Sequence, residues 1–166
     1  NSDSGGINTV AITNDQLREM VKHNEGYKTQ LYLDSLGNLT GGYGHYFSIG
    51  SFLPDKAIDV LFDHDFWGAK KDLQGFKKLT GVNGIGPVRE AVLTDMLFNM
   101  GLPRVLNFKR MIKALRKADF VTASDEIKDS LYFKQHDKHD PGGPHRANRN
   151  AWMMREGVLF CGQECT

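Results

Sequence analysis

Apolar positions along this chain change period twice, and the changes divide it into a helix, a short stretch of strands and a run of helices. After a polar stretch over residues 1–13, broken only by Val10 to Ile12, Leu17, Met20 and Val21 recur at the i, i+3, i+4 spacing of an amphipathic helix. Thr13 with Gln16 fits a capping box, so a helix is predicted over 14–24, with Gly26 as its stop. Leu31, Tyr32, Leu33 and Leu39 surround Gly37-Asn38, which predicts strand, turn, strand, followed by a glycine-rich turn over 41–44. From Pro54 the period becomes 3.6 again, with Ile58, Leu61, Phe62, Ala69 and Leu73 on one face of a long helix starting at Asp55. A third helix is predicted from Pro87 to Met100. Its Val88, Val92, Leu93, Met96, Leu97, Phe98 and Met100 are apolar almost all round, the pattern of a central helix buried on most sides. Helices over 104–117 and 119–131, a polar loop, and a last helix over 146–156 complete the order. The order predicts an α+β fold, a small sheet-bearing lobe followed by a larger helical lobe, with a cleft where they meet. Residues 1–13 read as a linker or arm, 14–160 as the domain and 161–166 as a tail.

Composition adds limits to this picture. With 40% hydrophobic and 25% charged residues, and ten Phe, five Tyr and two Trp among 166 residues, the chain can bury enough apolar surface to offset its entropy, which excludes disorder as its main state. No apolar run approaches the ~18 residues of a membrane span. Lys+Arg 21 against Asp+Glu 20 is too balanced for nucleic acid as the main partner. The charge is uneven, however: residues 101–150 carry 11 Lys/Arg against 6 Asp/Glu. Their run Lys109, Arg110, Lys113, Arg116, Lys117 reads as a solvated helix face, with attraction to an anionic polymer as the sharper reading. His136, Asp137, His139, Asp140 and His145 have the composition of a metal site but read as a solvated loop, so no metal is assigned. Trp67 and Trp152 read as core. Cys161 and Cys165 lie outside any core, and their pairing stays open. The chain opens at Asn1 without Met or a secretory signal, and reads as a monomeric processed form or as a module of a longer polypeptide.

The candidate chemistry lies in the first third. Glu25 ends the first helix, Asp34 precedes the strand turn and Thr40 follows it, in the spacing Glu-x8-Asp-x5-Thr. An inverting glycosidase needs a protonated acid for the leaving oxygen and, across the sugar, a carboxylate that orients water. Glu25 suits the acid, because the negative end of a helix dipole disfavours an ionised carboxyl. Asp34 on a polar hairpin suits the carboxylate, and the Thr40 hydroxyl suits the placing of water. Joint water handling requires Asp34 and Thr40 on one face of the hairpin. A two-residue turn would put them on opposite faces, whereas an odd-length loop, with Gly37 or Asn38 left-handed, would pair them directly.

These residues resemble a known family. Glu25-Gly26, Tyr32-x-Asp34, Gly37, Thr40 and Gly42-Tyr43-Gly44-His45 are similar to the active-site segment of phage-type lysozymes, glycoside hydrolase family 24. Leu61-Phe62-x-x-Asp65, Phe98-Asn99-Met100-Gly101 and Arg146-Ala147-x-Arg149 resemble its later anchors, so the likeness covers residues 14–157. It implies hydrolysis of the β-1,4 bond between N-acetylmuramic acid and N-acetylglucosamine in bacterial peptidoglycan, with no cofactor. It also implies Glu25 as acid, Asp34 and Thr40 as water site, Arg146 as the cation beside Glu25, and His45 with Asp65 as a buried ion pair. Tyr46, Phe98 and Asn99 would line the saccharide cleft. A guanidinium close to the acid creates a tension, since it lowers the pKa of a carboxyl that must be protonated. The connection from His45 to Phe62 is shorter than in the longest members, which implies a lost helix and a more open cleft. Met111 and Glu126 replace two cleft residues, so subsite details do not transfer there. A lytic transglycosylase of the same fold, a non-catalytic peptidoglycan-binding module and a virion component are the alternatives. The resemblance places the action at the extracytoplasmic cell wall, by an enzyme released at lysis, carried on a virion or secreted after processing.

Overall fold

The computed structural model describes residues 12–130 and 146–160. The chain divides into two compact units, residues 1–54 and 55–166.

The first unit begins with α1 (Asn14–Glu25). Thr13 caps it as its sequence requires: the hydroxyl accepts from the Gln16 N–H at 3.2 Å while the Gln16 side chain accepts from the Thr13 N–H at 3.0 Å. Gly26 ends it at φ +71, a conformation that costs a glycine nothing. Three antiparallel strands follow in the order β1 (Lys28–Leu33), β2 (Leu39–Gly42), β3 (His45–Tyr46). The third strand corrects the expected glycine turn over 41–44. Gly41 pairs with His45 and Thr40 with Tyr46, so only residues 43–44 turn. No helix lies between Tyr46 and Asp55, in keeping with the short connection.

The second unit is α+β's helical part, built from α2 (Asp55–Thr80), α3 (Pro87–Met100), α4 (Leu102–Val105), α5 (Lys109–Leu115), α6 (Phe120–Lys128) and α7 (Arg146–Glu156). The predicted single helix over 104–117 is two, because Asn107 and Phe108 turn the chain between α4 and α5. Helix α3 is central: Val92, Leu93, Met96 and Leu97 are buried, in one core with Phe76, Val105, Met111, Leu115, Ile127 and Met154. Met111, aligned with a family cleft position, is therefore core. In α2 only Ala69, Leu73 and Phe76 are buried, so its C-terminal half carries the core contacts while Ile58, Leu61 and Phe62 stay exposed. Trp67 and Trp152 correct their core assignment, at 65% and 43% exposed. Each ring instead lies edge-on to a neighbour, Phe66 and Phe160 respectively. Helix α5 buries Met111, Ile112, Ala114 and Leu115 and leaves its basic residues outside, Arg110 paired with Glu126 at 3.0 Å.

Polar contacts tie α3 to its neighbours. Lys77 on α2 meets Glu90 at 2.6 Å. Arg89 donates from Nε to the Met154 carbonyl at 2.8 Å and from a terminal nitrogen to the Arg155 carbonyl at 3.0 Å, which satisfies carbonyls at the end of α7 that lack intrahelical partners. A second terminal nitrogen reaches the Ile85 carbonyl, and the guanidinium lies 3.6 Å from the centre of the Phe120 ring. Arg89→Ala removes these contacts together and is expected to lower stability by about 2–4 kcal/mol. A urea titration would show a lower midpoint at unchanged slope; an unchanged midpoint would mean that water replaces Arg89 at no cost.

Candidate active site

Glu25, Asp34 and Thr40 all belong to the first unit, and each is positioned by local backbone geometry. Tyr32 faces Thr40 and Leu33 faces Leu39, so Asp34 faces Asn38 across the three-residue loop 35–37. The Asp34 N–H donates to the Asn38 carbonyl at 2.9 Å and the Gly37 N–H to the Asp34 carbonyl at 3.0 Å, with Gly37 at φ +81. This is the odd-length loop with a left-handed residue that joint water handling requires. The register differs by two residues from the expected one, because the three-residue loop spans 35–37 rather than 36–38 and so pairs Asp34 with Asn38 instead of Thr40. Asp34 and Thr40 are thus diagonal neighbours on one face, with Tyr32 directly across from Thr40.

Asn38 holds this arrangement, and the sequence reading missed it. Its backbone N–H donates to Asp34 Oδ1 at 2.8 Å and its side-chain amide to Oδ2 at 3.1 Å; the Leu36 N–H adds a third bond, to Oδ1 at 2.9 Å. The Asn38 bonds, backbone first, hold the Asp34 carboxyl below the usual carboxylate range despite some desolvation. Thr40 is buried, and its hydroxyl donates to the Asn38 carbonyl at 3.1 Å. An Asp-x3-Asn pair around a glycine is a readable Asx-turn signal, and could have pointed to Asn38.

Glu25, the last residue of α1, is brought to the turn between β2 and β3. A Cβ built on Gly44 would lie 2.8 Å from Glu25 Oε2, and Gly44 itself has φ +79. The carboxyl therefore occupies space that only glycine leaves open. Around it, Tyr27 and Tyr43 pack with ring centres 5.1 Å apart and Lys22 lies 5.7 Å from the Tyr43 ring. His45 and Tyr46 are exposed on β3, His45 edge-on to Phe47 at 4.7 Å.

The remaining candidates belong to the second unit. Phe98 lies 5.6 Å from Phe62 between ring centres, and both line a pocket of about 370 Å³ with Phe66, Thr94, Asp95 and Arg146. Asn99 is exposed beside it in sequence, and Glu126 is occupied by Arg110. Asp65 is exposed and meets its neighbour His64 at 3.3 Å. Arg146 is held by Asp95, a partner without a signal in the sequence reading, through contacts of 3.0 and 2.7 Å. The cluster over 136–145 and both cysteines lie outside the described residues. No grouping of His, Cys, Asp and Glu suited to a metal occurs among the described residues, and no described helix is long and apolar enough to cross a membrane.

A helix ending in a Glu, a small antiparallel sheet with an Asp at its hairpin turn and a Thr on its second strand, and a following helical unit define a lysozyme-like α+β fold. The family model for phage lysozyme matches residues 22–147, and the chain belongs to that family. It is 24% identical over 169 residues to probable T4-type lysozyme 1 of Dictyostelium discoideum, an alignment that covers 86% of this chain and 95% of that protein. Probable T4-type lysozyme 2 of the same organism is 25% identical over the same shares. The pre-baseplate central spike protein Gp5 of Enterobacteria phage T4 is 25% identical over 148 residues, which cover 74% of this chain and 26% of Gp5.

Two substitutions test the geometry. Asn38→Ala removes an amide donor to Asp34 and is expected to raise its carboxyl toward the ordinary value. A carboxyl held low keeps its ionised form, and the stability linked to it, until pH falls through its own lowered pKa. The acid limb of kcat/KM on peptidoglycan should therefore move to higher pH in Asn38→Ala while the alkaline limb stays; an unmoved acid limb would separate Asp34 from the reaction. Gly44→Ala should lower kcat by about tenfold or more through displacement of Glu25. Gly50→Ala is the control. It has φ +86 and open space around it, so it shares the strain of about 1 kcal/mol without touching Glu25.

Proposed function

We propose that this chain is a muramidase that hydrolyses the β-1,4 bond between N-acetylmuramic acid and N-acetylglucosamine of bacterial peptidoglycan with inversion. Family membership supports the substrate class, and the Asp34–Asn38–Thr40 arrangement is the observation that carries the mechanism. Glu25 is the general acid that protonates the leaving oxygen. Asp34, kept ionised by its hydrogen bonds, accepts one proton of the attacking water. Because the Thr40 hydroxyl already donates to the Asn38 carbonyl, its oxygen accepts a hydrogen bond from the other water hydrogen, which is not transferred. Water held by two acceptors presents a lone pair to the anomeric carbon, the orientation that direct displacement needs. An inverting pair of carboxyls stands ~6.5–9.5 Å apart to admit that water.

In this reading Arg146 is the supporting cation, and Tyr46, Phe98 and Asn99 contribute to saccharide binding. No cofactor takes part. The protein acts as a monomer at the extracytoplasmic cell wall, and the match to a segment of Gp5 supports its occurrence within a longer, virion-associated polypeptide as well as a free, phage-encoded enzyme.

Mass spectrometry of the muramic-acid ends released from purified peptidoglycan decides the reaction. Reducing ends with one added water are expected, and Glu25→Gln should abolish their release while the protein keeps its fold. Ends of the 1,6-anhydro form would make the enzyme a transglycosylase and reduce Asp34 and Thr40 to structure. Binding without any release would make it a binding module.

A further inference from the structure

Beside Glu25 the first unit carries a set of connected side chains that the proposed reaction leaves unused. Tyr27 lies two residues after Glu25, and Tyr43 sits in the turn between β2 and β3, directly before Gly44. Their rings pack with centres 5.1 Å apart and planes tilted by 44°. The Lys22 ammonium lies 5.7 Å from the centre of the Tyr43 ring, and its charge is met by Glu19 at 2.7 Å. These contacts run from the last turns of α1 through Tyr43 to Tyr27. They abut the acid, because the Glu25 carboxyl fills the space where Gly44 has no side chain.

Both rings are nevertheless open to solvent, Tyr27 at 66% and Tyr43 at 46%. Ordering an exposed aromatic side chain costs conformational entropy and leaves apolar surface in water. The packing of the unit gives little in return, since α1 buries no residue. A ligand that covers the open surface of Tyr27 recovers the burial and finds the ring already placed. The chemistry of the surface selects that ligand. The face of a phenol ring carries negative charge density, which suits the flat, weakly positive C–H face of a pyranose. An anion is a poorer fit, because Lys22 is already engaged by Glu19.

We propose that Tyr27 is a stacking subsite for one N-acetylhexosamine ring of the glycan, with Tyr43 as the residue that positions it. The proposal rests on the muramidase reading for its ligand and adds to it a binding contact apart from Glu25, Asp34 and Thr40. A ring stacked on a sugar that does not react is equally useful before and in the transition state, so its loss raises KM rather than lowering kcat.

Tyr27→Leu keeps an apolar side chain and removes the ring, whereas Tyr27→Phe keeps the ring and removes the hydroxyl. On purified peptidoglycan Tyr27→Leu is expected to raise KM about three- to tenfold with kcat and circular dichroism unchanged, and Tyr27→Phe to restore the wild-type KM. Isothermal titration of full-length Glu25→Gln protein with a peptidoglycan tetrasaccharide reads the same loss as a weaker Kd without turnover. The loss should be equal for the tetrasaccharide stripped of its peptides. An unmoved Kd in folded Tyr27→Leu would overturn the proposal. So would an equal loss in Tyr27→Phe, which would assign the contact to the hydroxyl, or a loss confined to the peptide-bearing sugar, which would assign it to the peptide. Should the wild type release no reducing ends while Tyr27→Leu still weakens binding, the muramidase reading fails and the subsite stands.

Discussion

The helical unit depends on how the end of α7 is satisfied. The last turn of any helix leaves carbonyls without intrahelical donors, and here α7 presents those of Met154 and Arg155 to α3 rather than to water alone. Arg89 supplies both donors from a planar fork, with its face against Phe120. Space for that fork exists because residue 157 is glycine: a Cβ there would lie 2.7 Å from an Arg89 nitrogen. Arg89 lies near the start of α3 and Asp95 further along it, while their partners run from the end of α7 back toward its start. The two helices are therefore antiparallel along this seam and fastened at both ends, while α7 also meets α6 through the Ser124 hydroxyl, which donates to the Ala151 carbonyl at 2.7 Å.

The sheet unit solves a different problem with different means. It has few buried residues of its own, and α1 has none, so precision there comes from hydrogen bonds rather than packing. A three-residue hairpin loop fixes the register, and the register fixes which face carries Tyr32, Asp34 and Thr40. Asn38 then serves two neighbours through three groups: its backbone N–H and amide hold Asp34, and its carbonyl accepts from the Thr40 hydroxyl. One residue in a turn thereby sets both the charge state of the carboxylate and the polarity of the hydroxyl.

Legibility in the sequence follows the range of the interactions. The capping box at Thr13 and Gln16, the stop at Gly26 and the odd-length loop with a left-handed Gly37 are local, and local chemistry was enough to predict them. The register went wrong by two residues because an odd loop length decides which face a side chain takes, while the pairing itself also depends on where along the chain the loop begins. Strand β3 was hidden because its two residues follow glycines that read as turn. The break between α4 and α5 was hidden because Leu106 and Phe108 continue an apolar rhythm that the backbone at Asn107 does not follow. Trp67 and Trp152 were placed in the core by their size, yet their helix positions point them away from it. Asp95 lay beyond reach for a further reason: its partners are 51 and 55 residues away, and a lone acid in an apolar helix carries no mark of the arginine it will meet.

The same contrast explains how the chemistry is divided. Glu25, Asp34 and Thr40, proposed above to handle a proton and a water, lie within one short segment in which local turns position each of them. Arg146 and Asp95 come from helices brought together by a large core, where a two-point ion pair is held partly out of water. Holding it there is costly unless its remaining acceptors are used, and Asn150 uses one of them. A turn is well suited to placing atoms but too solvated to support a strong field, whereas a helix seam supports the field.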